Sequence, residues 1–176
     1  MNFYTSDLHF YHENIIKYSQ RPFNTVKEMN ETLIKNWNKK VGKNDDVYIL
    51  GDLSFTGPVQ TNMLLDELNG RKYLIKGNHD KYLDNRLFDK SKFEWINDYK
   101  VIKDHGEVLI LFHYPIVNWD RSHYGSIHLY GHIHNNEPNF KLICDAVDKT
   151  MINVCTDVND YEPKTLSELL LKYGEK

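Results

Sequence analysis

Cysteine is scarce in this chain, and features typical of membrane or secreted proteins are missing. The 176 residues include two cysteines, Cys144 and Cys155, which lack the C-x-x-C spacing of redox or zinc motifs. We therefore expect both to pack as small apolar groups in a reducing compartment. No apolar run approaches the ~18 residues that cross a bilayer, and the N-terminus has no signal-peptide pattern. These absences predict a cytoplasmic protein that does not enter a membrane.

The chain also lacks linkers, internal repeats and an excess of basic charge. Because no stretch is rich in proline, glycine and serine, its length predicts one domain over residues 1–176. The formal net charge is −3, so no global basic field attracts nucleic acid. We expect nucleic acid as a partner only if it is the substrate. Nothing in the sequence implies an obligate protein partner.

What the chain does contain is a series of short apolar runs, each followed by residues that can ligate metals. The runs are rich in β-branched and aromatic residues, as buried strands are, and they cover residues 3–5, 47–50, 73–75, 108–112 and 127–130. The groups that follow them are, in order, Asp7-Leu8-His9, Gly51-Asp52, Gly77-Asn78-His79-Asp80, His113 and Gly131-His132-Ile133-His134. Ligands bind beyond the carboxyl ends of the strands in open α/β sheets. The sequence therefore predicts a metal site at one edge of a sheet.

This ordered set of motifs resembles the signature of the calcineurin-like metallophosphoesterases. That signature runs D-x-H, G-D, G-N-H-[DE], a lone His and G-H-x-H, and each element is present from Asp7 to His134. One departure is in the second element, where Gly51-Asp52-Leu53-Ser54 stands in place of the longer pattern G-D-x-x-[DN], whose last position is not a metal ligand in the family. The resemblance implies an α/β fold, a four-layer sandwich of two mixed β-sheets flanked by helices.

The resemblance also implies a centre with two divalent cations. The first cation would be held by Asp7, His9, Asp52 and His134. The second would be held by Asp52, Asn78, His113 and His132, with Asp52 bridging the pair. Mixed nitrogen and oxygen ligands favour a borderline metal, for which we expect Mn, with Fe, Zn or Ni as alternatives, rather than Ca.

Two residues next to the ligands are expected to act in catalysis. By resemblance, His79 protonates the leaving oxygen, and Asp80 orients the His79 imidazole. Members of the family that serve as binding modules lose this histidine or parts of the metal site, whereas this chain keeps both.

Substrate contacts are less well defined by the sequence. His12 either lines the cleft or lies exposed on a helix. Arg21, Arg121 and His123 either contact a substrate phosphate or lie on the surface. Asp157 and Asp160 are expected to be turn residues.

The elements around the motifs can be predicted from local signals. Helices are expected over residues 11–18, from Thr25 to a stop at Gly42, from Pro58 to Leu68, and after Thr165. Thr25 with Glu28, and Thr165 with Glu168, form capping-box patterns. Residues 98–103 and 107–112 are expected to form a hairpin, and residues 151–155 a closing strand.

Together these features predict a phosphoesterase in which a metal-bridging hydroxide attacks phosphorus in line. The length of the chain leaves no room for the cap domain that some members of the family place over the site, so we expect an open cleft. Such a cleft suits a phosphodiesterase acting on nucleotide-type or other phosphodiester substrates. The alternatives are a phosphomonoesterase and a non-catalytic, metal-containing binding module.

Overall fold

The computed structural model describes residues 1–136 and 150–174, so the prediction for Cys144 lies outside the described residues. The first sheet has five strands in the order β4-β3-β2-β1-β9. All neighbours are parallel except β1 and β9. Its strands are β1 (Asn2–Thr5), β2 (Asp46–Leu50), β3 (Arg71–Ile75), β4 (Trp95–Asn97) and β9 (Lys164–Thr165).

The second sheet has four strands in the order β5-β6-β7-β8. β5 and β6 form the predicted hairpin, which turns at His105 and Gly106, both with positive φ. β6, β7 and β8 run parallel. The strands are β5 (Tyr99–Asp104), β6 (Glu107–Phe112), β7 (Ile127–Tyr130) and β8 (Met151–Asn153).

The two sheets meet at the carboxyl ends of their parallel strands. Ser6, just after β1, forms a parallel bridge with Cys155, just after β8. Because the parallel strands of both sheets end at this seam, the segments that follow them converge there. The motifs identified in the sequence occupy these segments.

Among residues 1–136 and 150–174, four α-helices flank the sheets: α1 (Glu13–Tyr18), α2 (Val26–Lys40), α3 (Pro58–Glu67) and α4 (Leu166–Gly174). The Thr25 hydroxyl caps α2 by accepting from the Glu28 backbone N–H, and the Glu28 carboxylate accepts from Asn24 rather than from Thr25. Helix α2 ends at Lys40, two residues before the predicted stop. The second capping box is confirmed, since Thr165 and Glu168 bond each other reciprocally.

Two apolar cores lie on opposite faces of the first sheet. One packs helices against the sheet and contains Phe3, Met29, Trp37 and Leu64, all essentially buried. The other lies between the sheets and contains Leu50, Leu109, Leu129 and Leu166, among others. Each fully buried large side chain of this kind contributes roughly 1.5–3 kcal/mol. The predicted α/β arrangement of two mixed sheets flanked by helices is thus confirmed.

The outer face of the second sheet carries a buried histidine. The His128 ring contacts Trp119 at 5.3 Å between ring centroids, and its Nδ1 and Nε2 lie 3.3 Å and 3.1 Å from the carbonyl oxygens of Ile110 and Tyr114. Burial lowers the pKa of His128 to about 4. It is therefore a neutral core residue that donates to one of the two carbonyls. Within residues 1–136 and 150–174, no helix has the length and apolar character needed to cross a membrane.

Candidate metal centre

Asp7, which directly follows β1 and Ser6, presents one carboxylate oxygen to two imidazoles. Its Oδ2 accepts hydrogen bonds from the Ser6 hydroxyl at 2.5 Å and from the His132 backbone N–H at 2.9 Å. Its Oδ1 lies 4.0 Å from His9 Nε2 and 3.7 Å from His134 Nε2. One oxygen is thus fixed by the protein, and the other is directed into the centre.

Asp52 is oriented in the same way, after β2. Its Oδ1 accepts a hydrogen bond from the His79 backbone N–H at 2.8 Å. Its Oδ2 lies 3.6 Å from His9 Nε2 and 3.7 Å from His113 Nε2. This oxygen is therefore almost equidistant from two imidazole nitrogens that come from different motifs, the position expected of a shared ligand.

The ring of His113 has a defined tautomer. Its Nδ1 lies 2.7 Å from the Leu50 carbonyl oxygen, to which it must donate. Its Nε2 then carries a lone pair, which faces Asn78 Oδ1 at 3.1 Å and Asp52 Oδ2 at 3.7 Å. Three electron-rich atoms so close together are stabilised by a cation among them. The His132 ring lies beside His113, with 5.1 Å between centroids.

The backbone around the centre is unusual. Left-handed φ angles are rare in non-glycine residues and cost of order 1–3 kcal/mol each. Five of the seven predicted ligands adopt them: Asp7 (φ 53°), His9 (51°), Asp52 (55°), His132 (71°) and His134 (51°). Such strain concentrates where side chains must be held in a functional geometry.

Two glycines make room for the two carboxylates. A Cβ at Gly77 would lie 2.2 Å from Asp52 Oδ1, and a Cβ at Gly131 would lie 2.3 Å from Asp7 Oδ2. Real Cβ atoms do not approach oxygen so closely. A side chain at either position would collide with a carboxylate, so the G-N-H-D and G-H-x-H motifs require glycine there.

The electrostatics of the centre fit bound cations. Burial and neighbouring positive charges lower the pKa of His9 to about 2, so its imidazole is neutral. Burial and the charge of Asp7 raise the pKa of Asp52 to about 7. Within the described part of the chain, Asp7 Oδ1 and His9 Nε2 are buried without a hydrogen-bond partner. Lone pairs in this state are ready-made metal ligands, and the donor set fits divalent cations.

The donors fall into two halves that share Asp52. We call Asp7, His9 and His134 the first half, and Asn78, His113 and His132 the second half. Asp7, His9 and His134 can direct one ligand atom each to a common point, as can Asp7, Asp52 and His113. The fold thus gathers all seven predicted ligands at one seam, and ligation itself stays a prediction.

Asp80 has a different role from the one predicted. Its buried carboxylate accepts from the backbone N–H groups of Asp52, Leu53 and Gly77, at 2.8–3.0 Å. It therefore ties the G-D and G-N-H-D loops together instead of orienting the His79 imidazole. The His79 ring is half-buried and lies 5.5 Å from that of His9.

Arg21 and Asp157 also differ from prediction. The Arg21 side chain is buried and bonds the Asp157 carboxylate, so it is not available to a substrate phosphate. Asp157 lies in a 3-10 helix (Thr156–Val158) rather than in a turn, and its buried Oδ2 lies 2.8 Å from His134 Nδ1. Asp160 does lie in a turn, with φ 58°.

The remaining candidate contacts divide between the rim of the centre and the exposed part of the loop between β6 and β7. His12, the residue before α1, stacks on Phe55 with 3.9 Å between centroids and lies 5.4 Å from His9. Arg121 and His123 lie exposed in the loop between β6 and β7. There the Arg121 backbone carbonyl accepts from the Ser126 backbone N–H, and the rings of His123 and Tyr124 are in contact. His12 is thus placed at the rim, whereas the contacts of Arg121 and His123 are within their loop.

Comparison with known proteins identifies a full-length relative. The chain is 40% identical over 173 residues to the uncharacterised protein MJ1445 of Methanocaldococcus jannaschii, covering 97% of this chain and 89% of the relative. The chain belongs to the family of this archaeal protein. No family model matches the chain.

Two solved structures are also similar to this chain. The protein AQ665 of Aquifex aeolicus, of unknown function, matches with a TM-score of 0.75 and 29% identity over 96% of both chains. A predicted phosphoesterase from Streptococcus pneumoniae TIGR4 matches with a TM-score of 0.39 and 20% identity over 76% of this chain and 62% of its own. This second match is too distant to bear on function.

Several residues around the candidate centre of this chain were not predicted from its sequence to contribute to it. They are Ser6, Asp157, Phe55 and Tyr114, whose ring lies 4.6 Å from that of His132. Asp157 carried a usable signal, because it follows the closing strand as the other acidic and histidine groups follow theirs. The exposed aromatic residues carried none, since an isolated Phe or Tyr in a loop is common on surfaces.

Proposed function

We propose that this protein is a phosphoesterase that uses two divalent cations, with manganese as the expected metal, and acts on phosphodiesters of the nucleotide type. The observation that carries the proposal is the position of Asp52 Oδ2, 3.6 Å from His9 Nε2 and 3.7 Å from His113 Nε2. A carboxylate oxygen between two imidazole lone pairs, within a buried acidic cluster, suits a bridging ligand of two cations.

The ligand sets follow from the two halves. Asp7, His9 and His134 with Asp52 would hold one cation, and Asn78, His113 and His132 with Asp52 would hold the other. When bound, such cations neutralise phosphoryl oxygens and lower the pKa of water toward neutrality.

His79 supplies the proton in this proposal. Its backbone N–H is fixed by Asp52, and the loop that carries it is fixed by Asp80. The imidazole stands beside the centre, half-exposed and free to reach a leaving oxygen. Burial and the charge of Lys81 lower the pKa of His79, which makes its protonated form a stronger acid.

The preference for a diester is supported by the position of Arg21. A phosphomonoester carries an additional negative charge that its enzyme must neutralise. The Arg21 guanidinium, which lies against the Asp7-Leu8-His9 turn, is already neutralised by Asp157. The centre therefore gains no extra positive charge from this side chain.

A nucleotide-type leaving group is supported by the aromatic rim. Phe55 is 46% exposed although it is apolar, and its ring lies 5.1 Å from that of His79. The Phe55 ring also stacks on the His12 ring, and this contact fixes its orientation. A planar base leaving on the side of His79 could stack against this pair.

Hydrolysis of two chromogenic esters tests the proposal. We expect protein stripped of metal by EDTA to be inactive, and added Mn²⁺ to restore hydrolysis of bis-p-nitrophenyl phosphate in preference to p-nitrophenyl phosphate. The reverse preference would indicate a phosphomonoesterase. Binding of Mn²⁺ without hydrolysis of either ester, or of a nucleotide diester, would indicate a binding module.

A further inference from the structure

A buried ion pair joins two distant parts of the chain behind the first half of the centre. Arg21 Nε lies 2.8 Å from Asp157 Oδ1, and Arg21 Nη2 lies 2.9 Å from Asp157 Oδ2. Both side chains have an exposed fraction of 0%. A two-pronged contact of this kind holds both partners in a defined geometry.

The carboxylate of this pair orients a predicted ligand. Asp157 Oδ2 accepts from His134 Nδ1 at 2.8 Å. With its proton on Nδ1, His134 presents the Nε2 lone pair toward Asp7 Oδ1, 3.7 Å away. A carboxylate behind a ligating histidine fixes the tautomer and raises the basicity of the ligand.

The guanidinium of the pair supports the backbone of the first motif. Arg21 Nη1 donates to the Leu8 carbonyl at 2.8 Å, and Nη2 donates to the Asp7 carbonyl at 2.7 Å. These carbonyls belong to the turn in which Asp7 and His9 have left-handed φ angles. Donors placed here offset part of the cost of the strained turn.

We propose that Arg21 and Asp157 act as one positioning unit, which sets the cation affinity of the first half and makes it higher than that of the second half. This inference rests on the two-cation centre of the proposed function. In the second half, His113 is supported by the Leu50 carbonyl, and Asn78 is exposed. The two cations should therefore bind in two separable steps.

Mn²⁺ binding to chelator-stripped protein tests the inference, measured by equilibrium dialysis with metal analysis. In Asp157→Asn, an N–H₂ group replaces either Oδ1, which loses the bond from Arg21 Nε, or Oδ2, which loses the bonds from Arg21 Nη2 and His134 Nδ1. We expect the tighter of two binding steps to weaken by roughly 10–100-fold, with the other step close to its value in the parent protein. Asp160→Asn is the matched control, because its carboxylate is 81% exposed and pairs with Lys164. It should bind both cations normally.

A coupling measurement separates positioning from general support of the fold. If Asp157 acts through His134, then Asp157→Asn should have little further effect on Mn²⁺ affinity in a His134→Ala background. Independent effects that add would overturn the inference. It would also be overturned if both binding steps weakened equally, or if a folded Asp157→Asn bound both cations with parental affinity.

Two further outcomes keep the test decisive. Because Asp157→Asn leaves a lone buried guanidinium, it could fail to fold. Arg21→Gln combined with Asp157→Asn removes both charges, and it should show the same selective loss of Mn²⁺ affinity in the tighter step.

A parent protein that binds fewer than two cations would overturn this inference and the proposed function together. Two cations without phosphoester hydrolysis would overturn the proposed function alone.

Discussion

The two halves of the candidate centre differ in the burial of their predicted ligands and in the contacts that support them. In the first half, Asp7 and His9 are buried, and the His134 side chain is 15% exposed. In the second half, His113 is buried, but Asn78 is exposed and His132 partly so. Behind the ligands, a charged pair bonds the His134 ring in the first half, whereas the Leu50 carbonyl bonds the His113 ring in the second half.

This difference suggests that the two halves would bind the proposed cations differently. A preorganised, buried half would retain its cation, since its ligands lose little freedom on binding. An open half can exchange water and substrate oxygens more readily. The proposed acid His79 and the Phe55–His12 pair lie near His9, on the side of the first half, while Tyr114 lies beside His132.

Removing the shared ligand should abolish the distinction between the halves. In Asp52→Asn, a neutral amide replaces the carboxylate that both halves use. We expect both Mn²⁺ steps to weaken, and kcat/KM for bis-p-nitrophenyl phosphate to fall by about 10³-fold or more. Dialysis and initial rates measure these effects.

Asp104→Asn is a matched control for this variant. Asp104 is a buried carboxylate that bonds Tyr4 and Asn2, and Asn2 begins β1, at the end away from the centre. Its substitution should leave cation binding intact. Two bound cations and near-normal turnover in Asp52→Asn would rule out a bridging role.

His79→Ala should separate catalysis from cation binding. Because His79 is not a predicted ligand, both cations should stay bound. The value of kcat should fall by roughly 10²–10⁴-fold for a diester with a poor leaving group, the range for a lost general acid. With p-nitrophenolate leaving, the loss should be smaller, since this group departs without a proton.

The exposed His105, in the β5–β6 turn, provides the control variant His105→Ala. Equal losses for both leaving groups in His79→Ala would show that His79 stabilises phosphoryl charge instead. A parallel loss of Mn²⁺ would place His79 among the ligands.

The pH should affect both halves through Asp52. In metal-free protein, burial and Asp7 raise its pKa to about 7, so below pH 7 a cation must displace a proton. Cations favour the deprotonated carboxylate and a neutral His134, whose pKa is raised, against the effect of burial, by the hydrogen bond to Asp157 and the charge of Asp7, so Mn²⁺ affinity should rise by about tenfold or more per pH unit below pH 7 and more slowly above it. His9, with a pKa lowered to about 2, contributes no proton in this range. Dialysis at pH 6, 7 and 8 measures the slope, and a flat profile would contradict it.

Much of the fold could be predicted because local signals agree with tertiary structure. The capping pattern at Thr165, the β5–β6 turn and the apolar runs each depend on neighbours in sequence. The convergence of the motifs followed from strand polarity alone. Helix ends were less accurate, since α2 stops at Lys40 rather than beside Gly42.

The support of the centre could not be predicted in the same way. Arg21 and Asp157 are 136 residues apart in sequence, and their pairing is decided by packing that no local pattern encodes. The family resemblance implied a hydrogen bond between the Asp80 carboxylate and the His79 imidazole. In the fold, the Asp80 carboxylate points to backbone N–H groups of two loops.

The smallest expected effect concerns the aromatic rim, which distinguishes the two sides of the centre. Phe55→Ala removes the ring that stacks on His12 near His79, so it should raise KM for a diester with a nucleoside leaving group by roughly 2–12-fold, the range for one aromatic contact. The same variant should hardly change KM for a methyl ester, which has no planar group to stack. Tyr114→Ala is the matched control, since Tyr114 is 37% exposed and lies beside His132. Because the ring of Tyr114 contacts His113 and His132 of the second half, the effect of its removal on KM should not depend on the leaving group. Steady-state kinetics with both esters decide the matter: equal shifts in the two variants would show that the leaving group does not lie against Phe55.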